Sequence, residues 1–165
     1  MRLALTATIF FLSTVALAGE GTSIARTRDG ALRVELLPPA IDQELNGCGC
    51  AFFPAGAKPG DDRAITGWTE GGEGKAPLQI NGTTERLALT SERDHREDSR
   101  DGPPRVGDKM SFSLANDRTR VVLSCKVSQT CWGEPRCEVI QYSCSADIRA
   151  KGRKLLVPAA GECGC

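Results

Sequence analysis

Hydrophobic and polar side chains alternate along much of this chain, which is the period of a β-strand with one buried face. Leu32, Val34 and Leu36 show it first, separated by Arg33 and Glu35. The same alternation returns at Met110–Leu114, Val121–Val127 and Val139–Ile148, and shorter strand candidates lie at Cys48–Phe53, Arg63–Trp68, Leu78–Ile80, Thr83–Thr90 and Leu155–Val157.

Dipeptides that favour tight turns lie between these segments. Asn81-Gly82 is the strongest of them, because both residues tolerate the positive φ of a two-residue hairpin turn. Asp29-Gly30, Asn116-Asp117 and Lys151-Gly152 are the others. After the first 18 residues no window shows the 3.6-residue period of an amphipathic helix. The pattern therefore predicts an all-β fold, an antiparallel β-sandwich or small barrel of about seven to nine short strands.

The first 18 residues differ from the rest of the chain. Arg2 precedes the apolar run Leu3–Leu17, and Ala16-Leu17-Ala18 fits the small-residue rule for signal-peptide cleavage. A membrane-spanning helix needs about 20 residues, and this run is shorter. We therefore expect a signal peptide at residues 1–18, a periplasmic or secreted location, and no membrane span after its removal.

Without the signal peptide the chain has 147 of its 165 residues, a length that predicts one domain. We expect residues 19–47 to form an N-terminal arm and a first hairpin, and residues 48–165 to form a disulfide-rich β domain. Residues 91–105 are dense in charge and lack an apolar stripe, which predicts a mobile charged insertion. The 18 glycines, 9 prolines and eight cysteines are typical of a small exported domain that disulfides hold together.

Four cysteines form two Cys-Gly-Cys units, Cys48-Gly49-Cys50 and Cys163-Gly164-Cys165. Residues two apart in a strand point to the same face, so each unit offers two sulfurs to one side. If the strands pair antiparallel, the residue numbers of Cys48 and Cys165 and those of Cys50 and Cys163 add up to the same value, 213. One register would then align both bridges. A parallel arrangement, Cys48 with Cys163 and Cys50 with Cys165, is the alternative.

The same four sulfurs offer two other interpretations. As thiolates, Cys48, Cys50, Cys163 and Cys165 would suit tetrahedral Zn²⁺, or Cu⁺ with fewer ligands. A thiol–disulfide oxidoreductase is the other interpretation, although the usual Cys-x-x-Cys motif in a βαβ unit is absent. An exported location favours disulfides, so we expect neither a metal nor a cofactor.

The other four cysteines nest in a similar way. The numbers of Cys125 and Cys144 add up to 269 and those of Cys131 and Cys137 to 268, so one hairpin can hold both bridges if a bulge or the loop absorbs one residue. The segment closed by Cys131 and Cys137 carries Trp132 and Arg136, types that concentrate binding energy at interfaces. This tip is a candidate binding surface. The simpler interpretation, with Trp132 packed on the sheet and Arg136 solvated, is favoured.

Candidate catalytic residues are sparse. His95 is the only histidine, and in the charged segment it is expected to be solvated rather than to act as a base. No nucleophile-elbow or zincin signature is present. After the leader the net charge is −1 and no basic stripe is interleaved with aromatics, which argues against nucleic acid as a partner. We expect a monomer without enzymatic activity.

The start Cys48-Gly49-Cys50-Ala51-Phe52, the Asn81-Gly82 hairpin and the end Gly161-Glu162-Cys163-Gly164-Cys165 resemble small exported bacterial proteins that open with Cys-x-Cys and finish with Gly-x-Cys-Gly-Cys. This resemblance covers most of residues 48–165 and implies an exported β domain, without an assigned activity. Periplasmic lysozyme inhibitors are similar in size, export and β-barrel class. No segment here matches their inhibitory loop, so that similarity is one of fold class.

The sequence thus predicts a disulfide-stabilised, exported β domain that serves as a non-enzymatic binding or structural protein of the cell envelope. Its expected partner is an unidentified protein or another envelope component. The alternatives are a Zn²⁺- or Cu⁺-binding protein, a thiol–disulfide oxidoreductase, and a periplasmic inhibitor of a cell-wall hydrolase.

Overall fold

A computed structural model describes residues 22–57, 62–70, 75–95, 104–131 and 139–165. The predicted signal peptide, residues 1–18, lies outside these ranges. Within them the all-β prediction is confirmed, because the strands form one antiparallel sheet that curls into a half-barrel. No helix in the described ranges is long and apolar enough to cross a membrane.

The sheet has ten strands rather than about seven to nine. They are β1 (Ser23–Arg26), β2 (Arg33–Glu35), β3 (Gly49–Pro54), β4 (Thr66–Thr69), β5 (Lys75–Ile80), β6 (Thr83–Asp94), β7 (Lys109–Ala115), β8 (Thr119–Thr130), β9 (Ile140–Ala150) and β10 (Arg153–Gly164). Their order across the sheet is β1-β2-β5-β6-β7-β8-β9-β10-β3-β4. The hairpin of β1 and β2, predicted as part of an N-terminal arm, therefore belongs to the same sheet.

Two predicted turns set the register of long hairpins. Asn81 and Gly82 have φ of 49° and 77°, and Lys151 and Gly152 have φ of 51° and 71°. Positive φ at both central residues defines a type I′ turn, whose twist matches that of the flanking strands. The pairs β5–β6 and β9–β10 are consequently joined by only two residues each.

Several strands are longer than the sequence predicted. β10 spans Arg153–Gly164 instead of Leu155–Val157, and β6 continues to Asp94. The predicted charged insertion therefore begins later than residue 91, since Ser91–Asp94 pair with β7. This end of β6 is polar on both faces because Glu92, Arg93 and Asp94 are all exposed at the mouth of the half-barrel. Residues 96–103 of the predicted insertion lie outside the described ranges.

The connection from β2 to β3 is a short helical segment that the sequence pattern missed. It consists of α1 (Pro39–Asp42), with proline at its first position, and a 3₁₀ turn at Gln43–Leu45. Both are too short to show a helical period. Ile41 and Leu45 pack on a small second core of Leu37, Phe53 and Ala64, so the segment covers the outer face of β3.

β3 and β10 pair in one antiparallel register, in which the residue numbers of each pair add up to 213. Cys48 is bonded to Cys165 and Cys50 to Cys163, with Cα–Cα distances of 4.2 and 4.1 Å. These distances are close to the about 4.5 Å of a non-hydrogen-bonded antiparallel pair. The antiparallel arrangement of the two Cys-Gly-Cys units is therefore the one present. We call these two bridges the double staple.

Glycine is required between the bridges on β3. A Cβ at Gly49 would lie 2.1 Å from the carbonyl oxygen of Trp68 on β4. Gly161 on β10 plays a similar part, because a Cβ there would lie 2.6 Å from the ring of Phe52. The close approach of β4 and of the Phe52 ring thus depends on two missing side chains.

The curl of the sheet brings strands together that are not hydrogen-bonded neighbours. β4 lies beside β5, and β1 lies beside β10. Counted outward from the Asn81-Gly82 turn, Pro77 occupies a non-hydrogen-bonded position opposite Arg86 of β6, so its backbone nitrogen faces β4. Proline has no N–H to donate there, which helps to keep this seam unpaired. We call the two lines of contact the β4–β5 seam and the β1–β10 seam.

The double staple predicts non-additive losses of stability. While one bridge is present, the long loop of 113 to 117 residues stays closed, and the other bridge closes only a small ring. In the chain-entropy model, loss of one bridge then costs about 2 kcal/mol and loss of the second about 5 kcal/mol more. We expect Cys48→Ser/Cys165→Ser to lower the free energy of unfolding by about 2 kcal/mol and the four-serine variant by about 7 kcal/mol, in urea titrations of the oxidised proteins.

The matched control is Cys125→Ser/Cys144→Ser, which opens a separate loop with a sequence separation of 19. Its effect, about 3 kcal/mol, should add to that of Cys48→Ser/Cys165→Ser. A four-serine variant that loses no more stability than Cys48→Ser/Cys165→Ser and Cys50→Ser/Cys163→Ser lose together would contradict the nested arrangement.

Candidate functional site

The two Cys-Gly-Cys units lie at one end of the β3–β10 pair, beside an open cleft of about 300 Å³. All four sulfurs are bonded in pairs, so none of them is a thiolate that could bind Zn²⁺ or Cu⁺. In the described ranges, no group of three or more histidine, cysteine or acidic residues is placed to hold a metal ion. What this end of the sheet presents is a double covalent link.

The β8–β9 hairpin carries a third disulfide, Cys125–Cys144, with Cα atoms 4.1 Å apart. Partners from Thr119 to Val127 add up to 269, the value predicted for this pair. If Cys131 lay directly opposite Cys137, the residue numbers of the paired positions would add up to 268. Beyond Val127 the register shift instead raises the sum of the paired residue numbers to 270. The sequence predicted a one-residue slip in a bulge or in the loop; the structure has a bulge with its extra residue on β8, and the loop with Cys137 lies outside the described residues.

This shift places Cys131 beside Val139, whose carbonyl oxygen accepts a hydrogen bond from the Cys131 amide at 3.4 Å. Cys131 is itself disulfide-bonded. Its predicted partner Cys137 and the tip residues Trp132 and Arg136 lie outside the described ranges. The tip as a binding surface therefore stays a prediction.

Aromatic side chains fill the concave face of the half-barrel. The ring centroids of Phe52, Trp68 and Phe112 lie 5.5, 5.7 and 5.3 Å apart, and Tyr142 packs edge-on against Phe112 at 6.0 Å. Each such contact contributes about 0.5–1.5 kcal/mol beyond the burial of apolar area. All four side chains are buried. The rings therefore occupy the inside of the curl.

Tyr142 lies at the mouth of the half-barrel near Glu92 and Asp94. Burial is the main cause that raises its pKa to about 12, and the negative charges of Glu92 and Asp94 add to the effect. The register shift between Leu89 and Ser91 places these acids opposite Phe112 and Met110, which turns them toward the concave side. Sequence reasoning missed this group because a one-residue bulge leaves no mark in the hydrophobic pattern.

His95 follows β6 and is less solitary than the sequence predicted. Its Nε2 lies 2.8 Å from the Oγ of Ser111 on β7, and the imidazole remains exposed. The pair links the end of β6 to the outer face of β7.

A cleft of about 470 Å³ lies at the β4–β5 seam, between Trp68, Lys75 and Pro77. The ion pair of Arg86 with Glu44, at 2.7 Å, borders it and ties β6 to the 3₁₀ turn. The hydrogen bond from Arg86 lowers the pKa of Glu44 below its usual value. This seam is therefore bridged by protein groups of opposite charge.

Cations collect at the opposite end of the sheet, where the β7–β8 and β9–β10 turns lie. Arg120, Arg149 and Lys154 lie opposite one another on β8, β9 and β10 and form one row on the outer face. All three are exposed. An open cleft of about 470 Å³ lies beside this row. It is lined by Arg149 and Lys154 and by three cations at the turns, Arg118, Lys151 and Arg153.

A second open cleft, of about 460 Å³, lies at the β1–β10 seam and meets the first along Arg153 and Lys154. It adds Arg26 and Arg28, both exposed, from the first hairpin. We call this set the basic end, and its members are Arg26, Arg28, Arg118, Arg120, Arg149, Lys151, Arg153 and Lys154.

Two acids neutralise part of the basic end. Asp147 contacts Arg149 at 3.2 Å and Lys154 at 3.0 Å, and hydrogen bonds from these two lower its pKa. Asp29 contacts Arg153 at 2.9 Å, and a hydrogen bond from Thr27 is the largest cause of its lowered pKa. The other five cations of the basic end make no ion pair with the residues that the structure describes.

Sequence reasoning missed the basic end because it looked for one continuous stripe. The cations occur in separate segments, Arg118-Thr119-Arg120 and Arg149-Ala150-Lys151-Gly152-Arg153-Lys154, each beside a hairpin turn. Antiparallel hairpins that alternate along a sheet bring every second turn to the same end. That rule, applied to the predicted turns, is the signal that would have found the cluster.

Tyr142 is the chain's only tyrosine, so tyrosinate absorbance reports its titration alone. We expect a midpoint near pH 12 instead of 10, and a lower midpoint in Glu92→Gln/Asp94→Asn because two negative charges are removed. Since the folded pKa is the higher one, the free energy of unfolding should fall as pH rises from about 10 to about 12. Glu85→Gln, a change at a half-buried position on the same strand, is the control, and a wild-type midpoint near 10 would contradict the buried position.

The outer surface thus offers a bridged seam, a stapled end and a basic end, and the interior is filled. Comparisons with protein-family models, curated proteins and solved structures find no match to this chain.

Proposed function

We propose that this chain is an exported, disulfide-stabilised binding domain of the cell envelope, without catalytic activity of its own. The observation that carries the proposal is the double staple, which joins β3 to β10 across sequence separations of 113 and 117 residues. Such bonds persist in oxidising compartments outside the cytosol. The leader at residues 1–18 and the resemblance to small exported bacterial proteins support the same location.

Binding at the outer surface is supported by how the half-barrel is filled. Phe52, Trp68, Phe112 and Tyr142 occupy the concave face, so an interior ligand would have to displace them. The outer face of the sheet instead presents exposed charged side chains on hydrogen-bonded strands, which hold their Cα atoms in fixed relative positions. A rigid surface of this kind suits recognition of a partner.

The disulfides favour a scaffold over an oxidoreductase. Cys125 and Cys144 are 5% and 8% exposed, and Cys50 and Cys163 pack against the main core. Exchange requires a thiolate to reach a sulfur, and Cys165 is the one exposed cysteine in the described ranges. The disulfides Cys48–Cys165 and Cys50–Cys163 also disfavour the metal-binding alternative, because the four sulfurs are bonded to one another.

The proposal is tested by the intact mass of the protein isolated from its native compartment, with free thiols alkylated before unfolding. We expect a chain that begins at Gly19, carries no alkyl group and contains no metal, because all eight cysteines are then in disulfides. Reduction before alkylation is the control and should add eight groups. Four reactive thiols with bound metal would overturn the proposal in favour of a thiolate site, and an uncleaved chain with reduced cysteines would overturn export.

A further inference from the structure

We propose that the basic end docks on the surface of an anionic phospholipid membrane. This deepens the proposed function by naming the envelope component, and it rests on the proposed function for the location of the protein. The first observation is the segregation of charge. The basic end holds eight of the chain's 21 basic side chains, and Asp29 and Asp147 are the acids that pair with them in the described residues, although the whole chain has a formal net charge of zero.

The second observation is the shape of the cationic surface. Neighbouring strands lie about 4.8 Å apart, so the row Arg120–Arg149–Lys154 spans about 10 Å of the outer face. Arg26 and Arg28 extend the surface across the β1–β10 seam. The cations spread over a broad face instead of converging on one point. A plane of many negative headgroups matches this arrangement better than one small anion does.

The third observation is that the charges are available. Five cations of the basic end are exposed and make no ion pair within the described ranges: Arg26, Arg28, Arg118, Arg120 and Lys151. The ion pairs of the other three with Asp29 and Asp147 are on the surface, where such pairs are weak and exchange partners readily. Headgroup phosphates can therefore compete for all eight cations.

An apolar contact adjoins the charges. Leu156 is 61% exposed and lies two residues from Lys154, on the same outer face of β10. Cationic side chains next to an exposed leucine favour the membrane interface, where the apolar group inserts between headgroups. Single-stranded nucleic acid is recognised by aromatic stacking, whereas the aromatic side chains of the described ranges are all buried. The observations thus favour a lipid surface over a nucleic acid.

The test is co-sedimentation of the oxidised protein with phosphatidylcholine vesicles that contain increasing fractions of phosphatidylglycerol. We expect binding that rises with the phosphatidylglycerol content and falls with salt. Arg120→Gln/Lys151→Gln should weaken the partition about 20- to 30-fold, since each interfacial cation contributes about fivefold. Leu156→Ser should weaken it without changing the salt dependence.

Lys109→Gln/Lys126→Gln is the matched control, because these two exposed lysines lie opposite each other on β7 and β8 at the other end of the same outer face. Both double variants remove two positive charges, so they have the same net charge and the same leader. We expect a change of at most about twofold. Far-ultraviolet circular dichroism and urea titrations should show that both double variants stay folded.

Equal losses in the two double variants, or equal binding to pure phosphatidylcholine, would overturn the proposal. Binding to a sulfated polymer or single-stranded DNA without binding to phosphatidylglycerol vesicles would overturn it in favour of a soluble polyanion. These outcomes are distinct from failure of the proposed function, which the thiol and mass measurement detects independently of any vesicle.

Discussion

The pairing of β3 with β10, closed by two disulfides, is the constraint on which the rest of the structure depends. It joins a strand from the first third of the chain to the last strand, across more than 110 residues. β3 carries Phe52 and, through its pairing with β4, brings Trp68 onto the concave face. There the two rings meet Phe112 from β7, so the staple and the aromatic core support each other.

The same constraint separates the two ends of the sheet. Along β10 the double staple lies at Cys163 and Cys165 and the basic end lies at Arg153 and Lys154, about ten residues or roughly 33 Å apart. The double staple fixes the register of β3 with β10 covalently, and the type I′ turn at Lys151-Gly152 fixes that of β9 with β10. The outer face between them is consequently a rigid platform, and its cations keep their spacing without a partner.

Local chemistry made a large part of this fold predictable. The two-residue turns at Asn81-Gly82 and Lys151-Gly152 follow from their tolerance of positive φ, and the staple follows from cysteine numbers that share one sum. The positions and directions of the bulges in β6 and β8 were not predictable, because a one-residue bulge leaves no mark in the hydrophobic pattern of the strand. The acids beside Tyr142 were missed for that reason.

The basic end was missed for a different reason. It comes from three hairpins whose turns meet only after the sheet has formed, so no window of the sequence contains it. The helical segment at Pro39–Asp42 escaped because four residues cannot show a helical period. Interactions within a strand or a turn, and the pairing of the two Cys-Gly-Cys units, could thus be predicted from the sequence, whereas the other contacts between hairpins needed the sheet order.

Native-state hydrogen exchange of the β3–β10 amides tests the central role of the staple most directly. In the oxidised protein, the amides of Ala51, Phe53, Ala160 and Glu162, which lie in the β3–β10 register, should exchange only through global unfolding. In the variant with Cys48, Cys50, Cys163 and Cys165 all replaced by serine, they should exchange much faster than the amides of β7 and β8. Equal protection of both regions in that variant would contradict the account, because the sheet would then be held closed without its staple.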